Sequence, residues 1–249
     1  MNSSTRNIYT IAKRELTGYF ASPVAYVFIV IFLLLSGFFT FMMGNYFQRD
    51  EASLASFLIW HPWLYMFLVP AAGMRLWSEE RRSKTIELLF TMPISTTSVI
   101  AGKFIAAWVF LGISLALTFP IVVTTMYLGN PDGGVMISGY LGSFLVAGTY
   151  LAIASMTSAL TRNQVVSFIT SVVVCLLLIL AGWPPVTRLV LKWGAGSELV
   201  DFVAAFSVMT HFDSLQRGVV DIRDIVYFLT VMAFALFTTG VILKSHRAG

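Results

Sequence analysis

Six long stretches of this chain run almost without a charge: about Val24–Met43, Phe57–Trp77, Phe104–Leu128, Ile137–Leu160, Val165–Trp183 and Ile225–Leu243. None holds Lys, Arg, Asp or Glu, apart from Arg75 near the end of the second. About twenty mostly apolar residues are what a helix needs to cross a bilayer. In hydrocarbon the backbone must satisfy its own hydrogen bonds, which leaves helices or closed barrels. Composition agrees: 57% of residues are hydrophobic and 11% charged, with mean hydropathy +0.82, against roughly 45–50% and 25% in soluble domains. The reading is an all-α, polytopic membrane protein with six transmembrane helices. A secretory signal is not expected at its start, because Leu16–Gln48 carries no charge and is long enough to stay in the membrane as an anchor.

Six crossings put both termini on one side. If that side is cytoplasmic, it collects Arg6, Lys13, Arg14, Arg75, Arg81, Arg82, Lys84, Lys103, Arg162, Lys244 and Arg247. The other side keeps Arg49, Arg188, Lys192, Arg217 and Arg223. Eleven basic residues against five follow the positive-inside rule, and the acidic residues lean the other way. Both termini are therefore expected on the cytoplasmic side of the membrane. The net charge of +4 belongs to this asymmetry, so no nucleic-acid partner is expected. The single cysteine, Cys175, sits in an apolar run and excludes an internal disulfide.

Residues 1–22 read as an amphipathic interfacial helix. Ile8, Ile11, Ala12, Leu16 and Tyr19 share one face, and Arg6, Thr10, Lys13, Arg14 and Thr17 the other. Such a helix rests at the membrane surface with its apolar side among the lipids. Glu15 falls near that apolar side and needs a basic partner. Ser22-Pro23 turns the chain into residues 23–249, the membrane domain, with proline tolerated in the first helical turn. The largest loop on the outer side, 184–224, is expected to hold two or three short helices on the outer leaflet. Ser197 opens one of them, Thr210 with Asp213 caps another, and Gly218 provides its exit.

Several chemistries are missing. The nearest fragment to a phosphate-binding P-loop, Gly102-Lys103-Phe104, lacks the upstream glycine and the hydroxyl that the motif needs. His61, His211 and His246 lie far apart in sequence without metal-ligand spacing. No ionisable residue occupies the centre of a span, which argues against a proton-coupled carrier. No Ser/His or Ser/Lys pair at matching depth is evident for a membrane-embedded hydrolase. Small residues at four-residue spacing (Gly102/Ala106, Gly112/Ala116, Ser143/Ala147, Gly148/Ala152, Ser155/Ala159) instead describe closely packed helices. Thr118, Thr124 and Thr125 either line a path or bond to neighbouring backbone.

One polar segment stands out between the second and third spans. Glu79-Glu80-Arg81-Arg82-Ser83-Lys84-Thr85-Ile86-Glu87-Leu88-Leu89-Phe90 has strong helix formers and mixed charge. Ile86, Leu89 and Phe90 share a side at helical spacing, and Thr91-Met92-Pro93 ends the run. Ser95–Ser98 can cap the next helix. On these residues alone, the segment is either a solvated connection held by charge pairs or a handle for another protein.

With Ile94-Ser95 and the following Gly102-Lys103, this segment resembles the cytoplasmic motif of type 2 ABC exporter permeases. That motif has two acidic residues, a Gly-Thr pair, Glu-Leu-Leu and a proline, then Gly-Lys in the next span. Lys84 stands here where the family carries glycine. Lys13-Arg14-Glu15-Leu16 with Tyr19-Phe20 and Ser22-Pro23, and Phe212-Asp213-Ser214-Leu215 through Arg217-Gly218-Val219 to Tyr227-Phe228, are similar to the gliding-motility-associated subgroup. The resemblance implies a permease of a bacterial inner membrane that dimerises with a second copy and binds two copies of a separate ABC ATPase. It implies a coupling helix over 79–90, with Glu79, Glu80, Thr85, Glu87, Leu88 and Leu89 as ATPase-coupling residues. It also implies no catalytic residue, metal or cofactor on this chain, since ATP and Mg would be used by the partner. An extracytoplasmic auxiliary protein is a further implied partner. The alternative is mechanotransmission to such a protein without solute transport.

Overall fold

A computed structural model describes residues 3–48, 52–85, 94–192 and 197–245, and every regular element among them is helical. In chain order these are α1 (Ser3–Ala21), α2 (Pro23–Phe38, continued by a π turn over Phe39–Met43), α3 (Ala55–Leu58), α4 (His61–Gly73) and α5 (Arg75–Arg82). Then follow α6 (Thr96–Ala116), α7 (Phe119–Leu128), α8 (Gly133–Leu160) and α9 (Gln164–Leu180). Last come α10 (Pro184–Lys192), α11 (Ser197–Ala204), α12 (Val208–Gln216) and α13 (Ile222–Ser245).

Five helical stretches are long and apolar enough to cross a membrane: Pro23–Gln48, Ala55–Arg82, Thr96–Leu128, Gly133–Leu160 and Ile222–Ser245. The remaining expected span is α9, whose 17 residues rise only about 25 Å, less than a hydrocarbon core of about 30 Å. Two bonded turns lengthen it, Ala181 N to Leu177 O at 3.0 Å and Trp183 N to Leu180 O at 3.1 Å. The Ser4 hydroxyl lies 3.0 Å from that of Ser98, and Lys244 lines one groove with Thr96 and Thr97. Both ends of the chain therefore meet the start of α6. An even number of crossings is needed for that, so α9 counts as the sixth.

α8 is the axis of the bundle. It touches α4, α5, α6, α9, α12 and α13, and 78% of its most apolar window is buried; the same measure is 22% for α13. Small side chains make this possible. A Cβ on Gly148 would sit 2.6 Å from Trp108 Nε1, and one on Gly73 of α4 would sit 2.5 Å from Ala154 Cβ. Backbones that close are the membrane solution to packing without a hydrophobic driving force.

The outer helices bury one narrow stripe each. In α2 it is Ala25, Ile29, Phe32 and Ser36; in α9 it is Ser167, Ser171, Cys175 and Ile179. Val24, Val27, Val30 and Leu34 of α2 point outward and are exposed, as a lipid-facing surface requires. The three threonines turn their hydroxyls to carbonyls. Thr118 donates to Leu115 O at 2.6 Å, Thr124 to Pro120 O at 2.9 Å and Thr125 to Ile121 O at 2.8 Å.

The loop over 184–224 holds three short helices, but the third does not lie on a surface. Val208, Phe212 and Leu215 of α12 are fully buried, wedged against α8 near Gly142. Its cap is Ser207, whose hydroxyl accepts from Met209 N at 3.2 Å, rather than Thr210; the helix begins where burial begins. Gly218 leaves it at φ +88°, a left-handed value that glycine adopts without a Cβ clash.

Candidate functional site

At the end of the bundle where both chain ends lie, three helices converge on one ammonium group. Lys103 of α6 is buried to 7% exposure. Its Nζ lies 2.8 Å from Glu80 of α5 and 3.4 Å from Glu15 of α1, and 5.5 Å from the centre of the Trp77 ring. A cation placed between two carboxylates and an aromatic face in a partly dry site carries charge-assisted contacts on every open side.

The preceding glycine makes this approach possible. A Cβ on Gly102 would meet the Ile11 side chain at 2.7 Å, so only glycine lets α1 lie against α6 here. Tyr19 then stacks on Phe110 with ring centres 5.2 Å apart. The face of α1 expected among lipids is thus shared with α6, since Ile11, Leu16, Tyr19 and Phe20 are half-buried against the core. Glu15, the exception on that face, has found its cation 88 residues away.

α5 is fixed to α8 by a serine pair. The hydroxyl of Ser158 accepts from Trp77 N and Ser78 N, both at 3.0 Å, and donates to Met74 O at 2.8 Å. Trp77 Nε1 donates to the Ser155 hydroxyl at 2.9 Å, and the Arg81 guanidinium donates to Ala159 O. α5 is thereby a rigid extension of α4 that carries Glu79 and Glu80 past the end of the span.

Among the described residues, the expected helix over 79–90 is interrupted after Arg82. α5 stops at Arg82, where Ser83 Oγ donates to Glu79 O at 2.9 Å and competes with the helical ladder. Lys84 follows at φ +60°, the left-handed position that ends helices and that glycine fills at least cost. This is the position where the resembled motif carries glycine. Thr85 comes just after the turn, exposed, its hydroxyl 2.9 Å from that of Ser83. The structure therefore brings Glu79, Glu80 and Thr85 together at the end of α5, with Glu79 and Thr85 exposed and Glu80 turned in to Lys103. Glu87, Leu88 and Leu89 lie outside the described residues. The next helix is capped as expected, with Ser95 Oγ accepting from Ser98 N at 3.3 Å.

Lys103, Glu15, Trp77 and Ser158 were missed as site residues. Gly102-Lys103 was a visible signal, but its partners are set by packing between distant segments. A second pair was invisible for the same reason. His61 Nδ1 lies 2.7 Å from the Ser143 hydroxyl, which also lies 2.9 Å from Tyr65 OH. All three residues are buried, and their contacts tie α4 to α8. Among the described residues no group of three His, Cys, Asp or Glu is placed to hold a metal ion.

A family model described as ABC-2 family transporter protein matches residues 9–244, nearly the whole chain. No curated relative matches.

Proposed function

The chain belongs to the ABC-2 family of transporter proteins, and from that premise we propose that it is the permease of an ATP-driven exporter, moved by a separate ATPase. Membership makes it a membrane component of an ABC transporter rather than a catalyst. What the proposal adds is the coupling. Two copies of an ABC ATPase would bind two copies of this permease in a bacterial inner membrane, with both termini cytoplasmic. ATP and Mg would be held by the ATPase. The subgroup assignment to gliding-motility-associated permeases is part of the proposal, as is an extracytoplasmic auxiliary partner.

The observation that carries this reading is the construction at Lys103. The corner at the end of α5, with Glu79, Glu80 and Thr85, is locked at its base to α1, α6 and α8. A push on that corner cannot be absorbed locally, so it travels into the bundle as a rigid-body movement. Closure of two ATPases would tilt α5 together with α4. Each nucleotide state must favour one arrangement by a difference in contact free energy. Replacing Glu87 with Lys, beyond the same corner, is expected to abolish ATPase co-purification or stimulated ATP hydrolysis while membrane insertion persists. A Glu87→Lys complex that assembles and hydrolyses ATP normally would overturn the coupling assignment.

One observation favours the second reading, mechanotransmission without solute transport. α12 ties the outer loop to the central helix through Phe212 and Leu215, so an outer partner would feel movement of α8 directly.

A further inference from the structure

A cavity of about 560 Å³ opens between α1, α2, α4, α5 and α6, with Ala71 of α4 on its wall, within the roughly 300–1,000 Å³ range of ligand sites. Its character changes from one end to the other. Val24, Val27 and Ile31 of α2 line it while remaining exposed on the outer surface of the bundle, so the apolar end is continuous with the lipid-facing side. Phe28 and Phe110, with ring centres 5.3 Å apart, close its inner wall. The polar end lies beside the Ser22-Pro23 turn, where α2 enters the apolar layer, and carries Glu15, Arg75, Glu79, Glu80 and Lys103.

Two of those side chains stand outside the ion pairs formed among the described residues. Lys103 pairs with both Glu15 and Glu80, which leaves that trio one negative charge in excess and one buried oxygen of Glu80 without a partner among the described residues. Arg75 and Glu79 are exposed and, among the described residues, neither has an ion-pair partner. They stand one turn apart on α5, a cation and an anion at the mouth of an apolar slot. We propose that this cavity holds one phospholipid with a zwitterionic, primary-amine headgroup, its phosphate on Arg75, its ammonium on Glu79 and an acyl chain along α2. One unpaired charge of each sign on α5 fits a zwitterion, and the excess negative charge beside Lys103 disfavours an anionic headgroup. An ammonium that keeps its N–H groups forms a charge-assisted hydrogen bond to Glu79, which a quaternary ammonium cannot.

The test uses the full-length chain reconstituted in bilayers of phosphatidylethanolamine, phosphatidylcholine and phosphatidylglycerol, equimolar and with matched acyl chains. Lipid retained per chain after detergent extraction is then measured by mass spectrometry. The expected result is one retained phosphatidylethanolamine, enriched about tenfold over each competitor, as one charge-assisted contact supplies. Ala71→Trp, which fills the slot, is expected to abolish retention. Glu79→Gln is expected to bring phosphatidylethanolamine and phosphatidylcholine to parity. Equal retention of all three lipids by the natural chain would overturn the proposal. So would enrichment unchanged in Glu79→Gln, or unchanged in an Ala71→Trp variant that melts like the natural chain. Slot residues that cross-link only to a second copy of the chain would overturn it as well. No ATPase is present in this measurement, so its failure leaves the coupling proposal untouched.

Discussion

Lys103 is where the charge distribution and the packing of this protein meet. Its ammonium stands between carboxylates from two other helices at 2.8 and 3.4 Å. Removing it would leave Glu80, already holding one buried oxygen without a partner, beside Glu15 with nothing between them. Fully buried pairs lose about 3–5 kcal/mol when one partner is removed. The two carboxylates here are 25% and 34% exposed, so water screens part of that loss. Lys103→Met is therefore expected to destabilise the purified protein by about 2 kcal/mol, read as a fall in its thermal midpoint. Lys103→Arg, which keeps the charge, should lose less. Lys84 makes the opposite prediction. At φ +60° a lysine side chain is strained by roughly 1 kcal/mol relative to glycine, so Lys84→Gly should raise the thermal midpoint without touching any contact of the bundle.

At the scale of elements, the spans were legible because hydrophobicity is a property of the sequence itself. Six apolar runs became six crossings, Ser95 caps the helix it was expected to cap, and Ser22, expected as a turn, also caps α2. What could not be read was where an element ends against another. α4 and α5 form one bent stretch that leaves the apolar layer, because Ser158 of α8 holds both sides of the Met74 joint. α12 enters the bundle because α8 is narrow at Gly142, where a Cβ would come within 2.9 Å of Leu215. Both facts depend on contacts between residues 70 or more positions apart. The same close packing sets a test at this scale. Gly148→Leu would drive a branched side chain into Trp108 and Met232, an overpacking expected to cost about 1–3 kcal/mol or more. It should separate α6 and α13 from the axis and show as increased proteolysis of reconstituted protein. A Gly148→Leu variant as resistant as the natural chain would count against α8 as the axis.

For the whole molecule, charge and architecture point one way. The end of the bundle that gathers α1, the projecting corner and the C-terminal turn of α13 also holds most of the basic residues. The opposite end holds α10, α11 and the acid-rich loop. Of the site, Glu79, Glu80 and Thr85 were legible as a polar handle. The lock behind them was not, since a Gly-Lys pair in an apolar helix does not say which distant carboxylates it will meet. Coupling as proposed requires that this corner be grasped by a nucleotide-driven neighbour on the cytoplasmic side. The direct measurement places a photo-crosslinker at position 83, the exposed turn at the end of α5, in native membranes. The covalent partner is then identified with and without ATP. The expected partner is an ABC ATPase, cross-linked with an efficiency that changes with nucleotide. A partner from the extracytoplasmic side, or no protein partner in the intact assembly, would contradict the proposed coupling.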